Sequence, residues 1–295
     1  MKKLISIGLL CILVSISLMG CAIKVPPVDG ELSNGQNQTD SIVPPQGSLP
    51  PNDNNSTGEN NSTSQEHAPP IVQPPSLPPT TPNKEYDILV KSKVNSLNVR
   101  VGAGSGYAVI GSINANDMLD YVSESGDWYK VRYKRSFGYV SRKHTTLEKF
   151  EKSTSKVVED IIHIGKGLMG YPYVWGAPRY HWGNGILNPN FVQGKYDCSS
   201  LVQYMFYIGG GVVLDVNTRT QVVQGKEISK SDIRRGDVLF FTNSDRYHLN
   251  DIERVGHVAV YLGNNYILHT ASDYAVIEPI SNTRWSHYIV AKRMV

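Results

Sequence analysis

The chain is 295 residues long, 40% apolar and 19% charged, with a net charge of +3 at neutral pH. That length allows two small folded domains with segments to spare. The charge is slight and forms no basic run interleaved with aromatics, which argues against a nucleic-acid partner.

The first 21 residues, MKKLISIGLLCILVSISLMGC, open on Lys2 and Lys3 and continue as an apolar stretch over 4–19. A comfortable membrane span takes about 20 apolar residues, so 1–20 reads as a secretory signal. Leu18, Met19, Gly20 and Cys21 resemble the bacterial lipoprotein cleavage box. That resemblance implies that Cys21 becomes the lipidated first residue, fixed to a membrane by the two or more acyl chains (palmitate among them) that stable attachment requires. The chain has three cysteines: Cys11, Cys21 and Cys198. With Cys11 lost in the signal and Cys21 lipidated, Cys198 is left alone. An exported protein with one leftover cysteine uses it as an intermolecular bridge, a reactive thiol or a small buried hydrophobe.

Residues 21–85 are rich in Pro, Asn, Ser and Thr and hold no aromatic side chain. Such a segment cannot bury enough apolar surface to offset its ordering entropy, which predicts a disordered tether. Its mean reach is about 45 Å, enough to carry a domain off a membrane surface. The tether has a net charge of −5 and the remainder from 86 on is +6, a mild basicity that suits an anionic polymer only weakly.

Over 86–148, alternating apolar positions broken by Gly-rich turns predict about five short strands, for which a small barrel is the natural packing. Leu97-Asn98-Val99-Arg100, Gly102, Tyr107, Val109-Ile110-Gly111, Gly126-Asp127-Trp128-Tyr129-Lys130-Val131 and Gly138-Tyr139-Val140 resemble a bacterial SH3-like domain. Val101 and Ala103 depart from the Ser and Pro frequent there. The resemblance implies a ligand- or wall-binding module; a bare spacer is the simpler alternative.

In the segment 155–295, Val157, Val158, Ile161, Ile162 and Leu168 recur at helical spacing behind Ser155, a natural cap. Leu201, Val202, Met205, Phe206 and Ile208 mark a second helix, closed by Gly209, Gly210 and Gly211. Cys198 therefore sits at a helix start, where orphan N–H groups and the dipole favour a thiolate and can hold an oxyanion. A thiolate needs a base. His257 begins an alternating strand through Leu262, and 266–270 returns as the next strand after Gly263-Asn264-Asn265. A three-residue loop would pair Leu262 with Tyr266, set Ala259 opposite His269, and place His257 and His269 on one face as a diagonal pair. A two-residue loop would put them on opposite faces. His144, His163, His181, His248 and His287 carry no such reading.

Tyr173-Val174-Trp175-Gly176, Asp197-Cys198-Ser199-Ser200-Leu201-Val202, Arg235-Gly236-Asp237-Val238-Leu239-Phe240-Phe241 and Gly256-His257-Val258-Ala259-Val260-Tyr261-Leu262-Gly263 resemble the ordered motifs of the NlpC family of papain-like cysteine peptidases. The resemblance implies an α+β fold over 155–295, with helices carrying the nucleophile packed on an antiparallel sheet carrying the base. It implies Cys198 as nucleophile, His257 as base and His269 as the residue that orients it, in an ion pair of thiolate with imidazolium. Tyr173 would lie beside the thiol, and Asp197 and Ser199 would contact the substrate, with Asp197 pairing a free amine. The implied substrate is a peptidoglycan stem peptide, cut between D-γ-glutamyl and a diamino acid by a monomeric enzyme without metal or other cofactor, lipid-anchored to the cell membrane and facing the cell wall. An amidase or acyl transferase with the same triad, and a non-catalytic wall-binding lipoprotein, are the alternatives.

Three features depart from the family pattern. Ser200 stands where the family has Gly. The loop over 177–194 is long and is expected to border the cleft, with His181 or Trp182 as new contacts. The family's Arg before the next helix is missing around Val216.

Overall fold

The structure, a computed structural model, describes residues 84–295 apart from Ser272. The expected signal, Cys21 and nearly all of the tether lie outside the described residues. Seven strands come first: β1 (Tyr86–Ser92), β2 (Leu97–Arg100), β3 (Val109–Ile113), β4 (Met118–Ser125), β5 (Trp128–Tyr133), β6 (Ser136–Ser141) and β7 (Thr145–Glu151). That is two more than the turn signals suggest, because β1 and β7 pair with each other along their full lengths and extend the segment to 151. In β5, Tyr129, Val131 and Tyr133 are buried while the residues between them are partly exposed, the alternation of a strand with one inward face.

Lys134 and Arg135 make the two-residue turn from β5 to β6, both at positive φ (51° and 57°). Residues with side chains are strained there, by about 1–3 kcal/mol each. Docking offsets the strain: their N–H groups donate to the carbonyls of Met169 (2.9 Å) and Gly167 (2.7 Å) in the following segment.

That segment begins with helix α1 (Lys156–Lys166), capped by the Ser155 hydroxyl, which accepts from the Val158 N–H. Val158, Ile161 and Ile162 are buried, but Val157 points outward and Leu168 is buried beyond the helix end. Helix α2 (Cys198–Gly210) ends on Gly211 in the left-handed conformation, φ 65°. It packs on α1 and lies across the two strands that carry the histidines. A short helix α3 (Thr218–Gln221) and strand β8 (Lys226–Ile228) follow, then β9 (Val238–Phe241), β10 (His257–Gly263), β11 (Tyr266–Ala271), β12 (Tyr274–Pro279), α4 (Asn282–Ser286) and β13 (Tyr288–Arg293). No helix among the described residues is long and apolar enough to cross a membrane.

The strands run in the order β3-β2-β6-β5-β4-β12-β11-β10-β9-β13-β8, every pairing antiparallel. Between β10 and β11, Val260 faces Leu268 and Tyr261 faces Ile267, the register that sets Ala259 opposite His269. The closing pair differs from expectation. Gly263, not Leu262, faces Tyr266, and the loop is the two residues Asn264 and Asn265, at φ 50° and 64°. Left-handed Asn pairs suit such a hairpin turn. The histidines still share a face because a bulge between Tyr261 and Gly263, with Gly263 at φ 99°, absorbs the extra residue.

The two parts of the fold share one core, in which Leu89, Val99, Met118 and Val131 join Leu168, Leu201, Met205 and Leu268. Beside it lies a buried ion network. Lys166 Nζ is 2.6 Å from Asp87 and 2.8 Å from Asp120; Arg235 is 2.8 Å from Asp87 and 2.7 Å from Glu159. Burial works to raise the Asp87 carboxyl, but Lys166 and Arg235 outweigh it and hold it below the usual carboxylate range.

Candidate active site

Asp197 caps helix α2. Its Oδ1 accepts from the Ser200 N–H (2.8 Å) while the Ser200 hydroxyl accepts from the Asp197 N–H (2.9 Å), a reciprocal capping box. Ser200 thus occupies the family's glycine position as a buried cap partner. Cys198 is the first helical residue, 8% exposed, with the Ser199 and Val258 backbone N–H groups acting to lower its thiol. Burial nevertheless pushes the thiol up to about 12, with Asp197 adding to the rise against those N–H groups and Arg179.

Opposite it, the sheet presents a chain of side chains. His257 Nε2 lies 2.9 Å from His269 Nδ1, and His269 Nε2 lies 2.8 Å from Glu278 Oε1 on β12. Arg284 on α4 donates to the same carboxylate oxygen at 3.2 Å. Glu278 is ionised: burial works to raise it, but His269 and Arg284 outweigh that and hold it below its usual range. A carboxylate can only accept, so His269 carries its proton on Nε2 and accepts through Nδ1 from His257 Nε2–H. This leaves His257 Nδ1 as the free lone pair. Burial, then the neighbouring His269 and Arg284, hold His257 well below the ordinary imidazole range, and burial lowers His269 too. Desolvation thus works against both charges of the expected ion pair, while the helix start favours the thiolate.

Two cavities meet at Cys198 and Tyr173. One, about 480 Å³, runs past His257 toward Arg284 and His287; the other, about 690 Å³, runs past Trp175, Asp197 and Arg219. Burial raises the Tyr173 hydroxyl, and Cys198 and Asp197 raise it further. Asp197 Oδ2 is already taken by the Gly176 N–H (3.2 Å) and Arg179 (2.8 Å). Ser199 Oγ donates to Asp197 Oδ1 (3.0 Å) and accepts from Arg179 (3.1 Å). Arg179, a residue of the long 177–194 loop, thus shares the Asp197 carboxylate expected to meet a substrate amine. The same guanidinium bonds the Val216 carbonyl, so the inserted loop is stapled to the stretch where the family's arginine is missing. His181 is fully buried against the Tyr207 ring and lines neither cavity, nor does the half-exposed Trp182.

Sequence reasoning missed Glu278, Arg284, Arg179 and His287. Val276 pairs with His269, so Glu278 shares the His269 face one step on, a relation that shows only once the strands are paired.

The NlpC/P60 family matches residues 170–294 and the bacterial SH3 domain matches 95–146. The peptidoglycan DL-endopeptidase CwlO of Bacillus licheniformis is 33% identical over 136 residues, 45% of this chain and 27% of its own. The peptidoglycan endopeptidase RipA of Mycolicibacterium smegmatis is 29% identical over 137 residues, 45% of this chain and 25% of its own. A gamma-D-glutamyl-L-lysine dipeptidyl-peptidase of Bacillus subtilis is 25% identical over 166 residues, 56% of this chain and 49% of its own. The matches thus span about a quarter of the first two relatives and about half of the third. Residues 170–294 thus match the NlpC/P60 family and residues 95–146 the bacterial SH3 domain, and the proteins similar over the first of these regions include peptidoglycan endopeptidases.

Proposed function

We propose that this protein hydrolyses an amide bond of peptidoglycan stem peptides, between D-γ-glutamyl and a diamino acid, with Cys198 as nucleophile. The observation that carries the reading is the chain from His257 through His269 to Glu278, which leaves one imidazole nitrogen free at a cavity shared with Cys198. His257 Nδ1 takes the thiol proton as the sulfur bonds to the carbonyl carbon. The carbonyl oxygen gains charge against the N–H groups at the start of α2. The C–N bond breaks as His257 passes its proton to the leaving nitrogen. Water, deprotonated by the same imidazole, then attacks the thioester and returns the thiol. Throughout, Glu278 and His269 stabilise the transient positive charge on His257 and keep its ring in place.

The protein works as a monomer on a Cys21 lipid anchor, its tether placing an SH3-like barrel and the peptidase at the wall outside the membrane. No cofactor enters this chemistry. Cleavage of a synthetic γ-D-glutamyl-diamino acid peptide by the purified protein, lost in Cys198→Ser, is the expected result. Undiminished cleavage by Cys198→Ser would refute the nucleophile.

A further inference from the structure

We infer that the cavity beside His257 is a subsite for a carboxylate on the residue that departs with the amine, and that Arg284 binds it. The side of the bond rests on the hydrolase reading above: His257 protonates the leaving nitrogen, so the cavity running from His257 away from Asp197 holds the leaving residue. The cavity, about 480 Å³, has no carboxylate in its lining among the described residues. Its walls include hydroxyls, an amide, two imidazoles, the Phe241 ring and the Arg284 guanidinium, whose side chain is 24% exposed. Arg284 spends one Nη2 N–H on Glu278 at 3.2 Å and makes no other side-chain hydrogen bond to the described residues. The planar fork of a guanidinium suits a carboxylate.

A further atom points the same way. Thr242 Oγ1, in a residue lining this cavity, is buried without a hydrogen-bond partner among the described residues, and its hydroxyl can donate to a bound carboxylate. The opposite cavity differs, because the carboxylates of Asp197 and Asp245 are in its lining, with Arg179 on Asp197 at 2.8 Å.

The carboxylate has two sources: the α-carboxylate of a peptide that ends at the leaving residue, or the side-chain carboxylate of a dicarboxylic diamino acid. Three peptides separate them: γ-D-glutamyl-L-lysine, its C-terminal carboxamide, and γ-D-glutamyl-diaminopimelate amidated at the α-carboxylate. Their affinities for the Cys198→Ala protein are measured by calorimetry, alone and with Arg284→Met or Arg284→Lys added. At least one carboxylate peptide binds about tenfold or more tightly than the lysine carboxamide, the scale of a charged hydrogen bond. Which one does so names the source. Arg284→Met brings the ratio to about one, and Arg284→Lys keeps part of it. Equal affinities, binding of none of the three, or a preference that persists in Arg284→Met overturns the inference. Should Arg284→Met fail to fold, the three-peptide comparison and Arg284→Lys still decide. Hydrolysis by the Cys198 protein is scored separately: a carboxylate preference without cleavage refutes the hydrolase reading and leaves the subsite standing.

Discussion

Glu278 Oε1 lies 2.8 Å from His269 Nε2, and that one contact sets the tautomers of two imidazoles in series. Glu278→Gln keeps an oxygen that can accept but removes the charge that stabilises His257 once protonated. The expected loss in kcat is on the order of tenfold, with KM little changed. Glu278→Ala unlocks His269 and costs more, on the order of 10²-fold. His269→Gln retains part of the activity through a hydrogen bond, whereas His269→Ala falls by on the order of 10²-fold or more. Steady-state kinetics on a soluble stem peptide checks the series; an unchanged kcat in His269→Ala would remove His269 from the mechanism.

The raised thiol and the lowered imidazole make a pH prediction that differs from an ion pair. His257 is held well below 6.5 and Cys198 is raised from 9.0 to about 12, each mainly by burial. The log of kcat/KM should stay flat from below pH 6.5 to above pH 9, since it reports groups of the free enzyme. An ion pair would give a bell with its alkaline limb at the imidazolium. Stability follows the same shifts. Between the unfolded value of 6.5 and the lower folded values of His257 and His269, the unfolded chain binds more protons. Stability therefore falls as pH drops below about 6.5 and recovers above it. Thermal unfolding at pH 7 and pH 5 measures the fall; a higher Tm at pH 5 would contradict it, once carboxylate contributions are separated with a His257→Gln variant.

The SH3-like part is expected to be inseparable from the peptidase. Removing 86–148 strips Asp87 and Asp120 from Lys166 and leaves Arg235 with Glu159 alone. Breaking a buried pair costs about 3–5 kcal/mol, because the remaining charge stays desolvated. Asp87→Ala should lower stability by about that amount in urea unfolding while leaving kcat unchanged where the protein is folded. The isolated 155–295 segment should unfold or aggregate. A truncated enzyme as stable and as active as the full chain would show the network to be dispensable.

Arg179 should matter for the cleft rather than for the chemistry. Arg179→Ala frees the Asp197 carboxylate and unpins the 177–194 loop from the Val216 carbonyl. A change in KM with kcat held within about threefold is the expected split, since a binding contact made equally in ground and transition states moves KM alone. A loss confined to kcat would place Arg179 nearer the reacting atoms.

Much of this was legible in the sequence. Cys198 at a helix start followed from the apolar spacing of α2, and the even histidine register from the alternation of β10 and β11. The bulge at Gly263 was not legible, because a two-residue Asn-Asn turn and a compensating bulge leave the same alternation in the body of the hairpin. Glu278 and Arg284 were missed because β12 and α4 contribute them through pairing between strands and packing, which no local pattern encodes. Arg179, which bonds the Asp197 carboxylate, was missed because it lies in a loop with no periodicity. The ion network was invisible for the same reason: its members come from β1, β4, α1 and the turn before β9.

The most direct measurement is mass spectrometry of fragments released from purified cell wall by the intact protein and by Cys198→Ala. The intact protein is expected to release fragments with a new γ-D-glutamyl carboxyl end and a free amine on the diamino acid, and Cys198→Ala none. Fragments cut between sugar and stem, or equal release by Cys198→Ala, would contradict a Cys198 stem-peptide hydrolase.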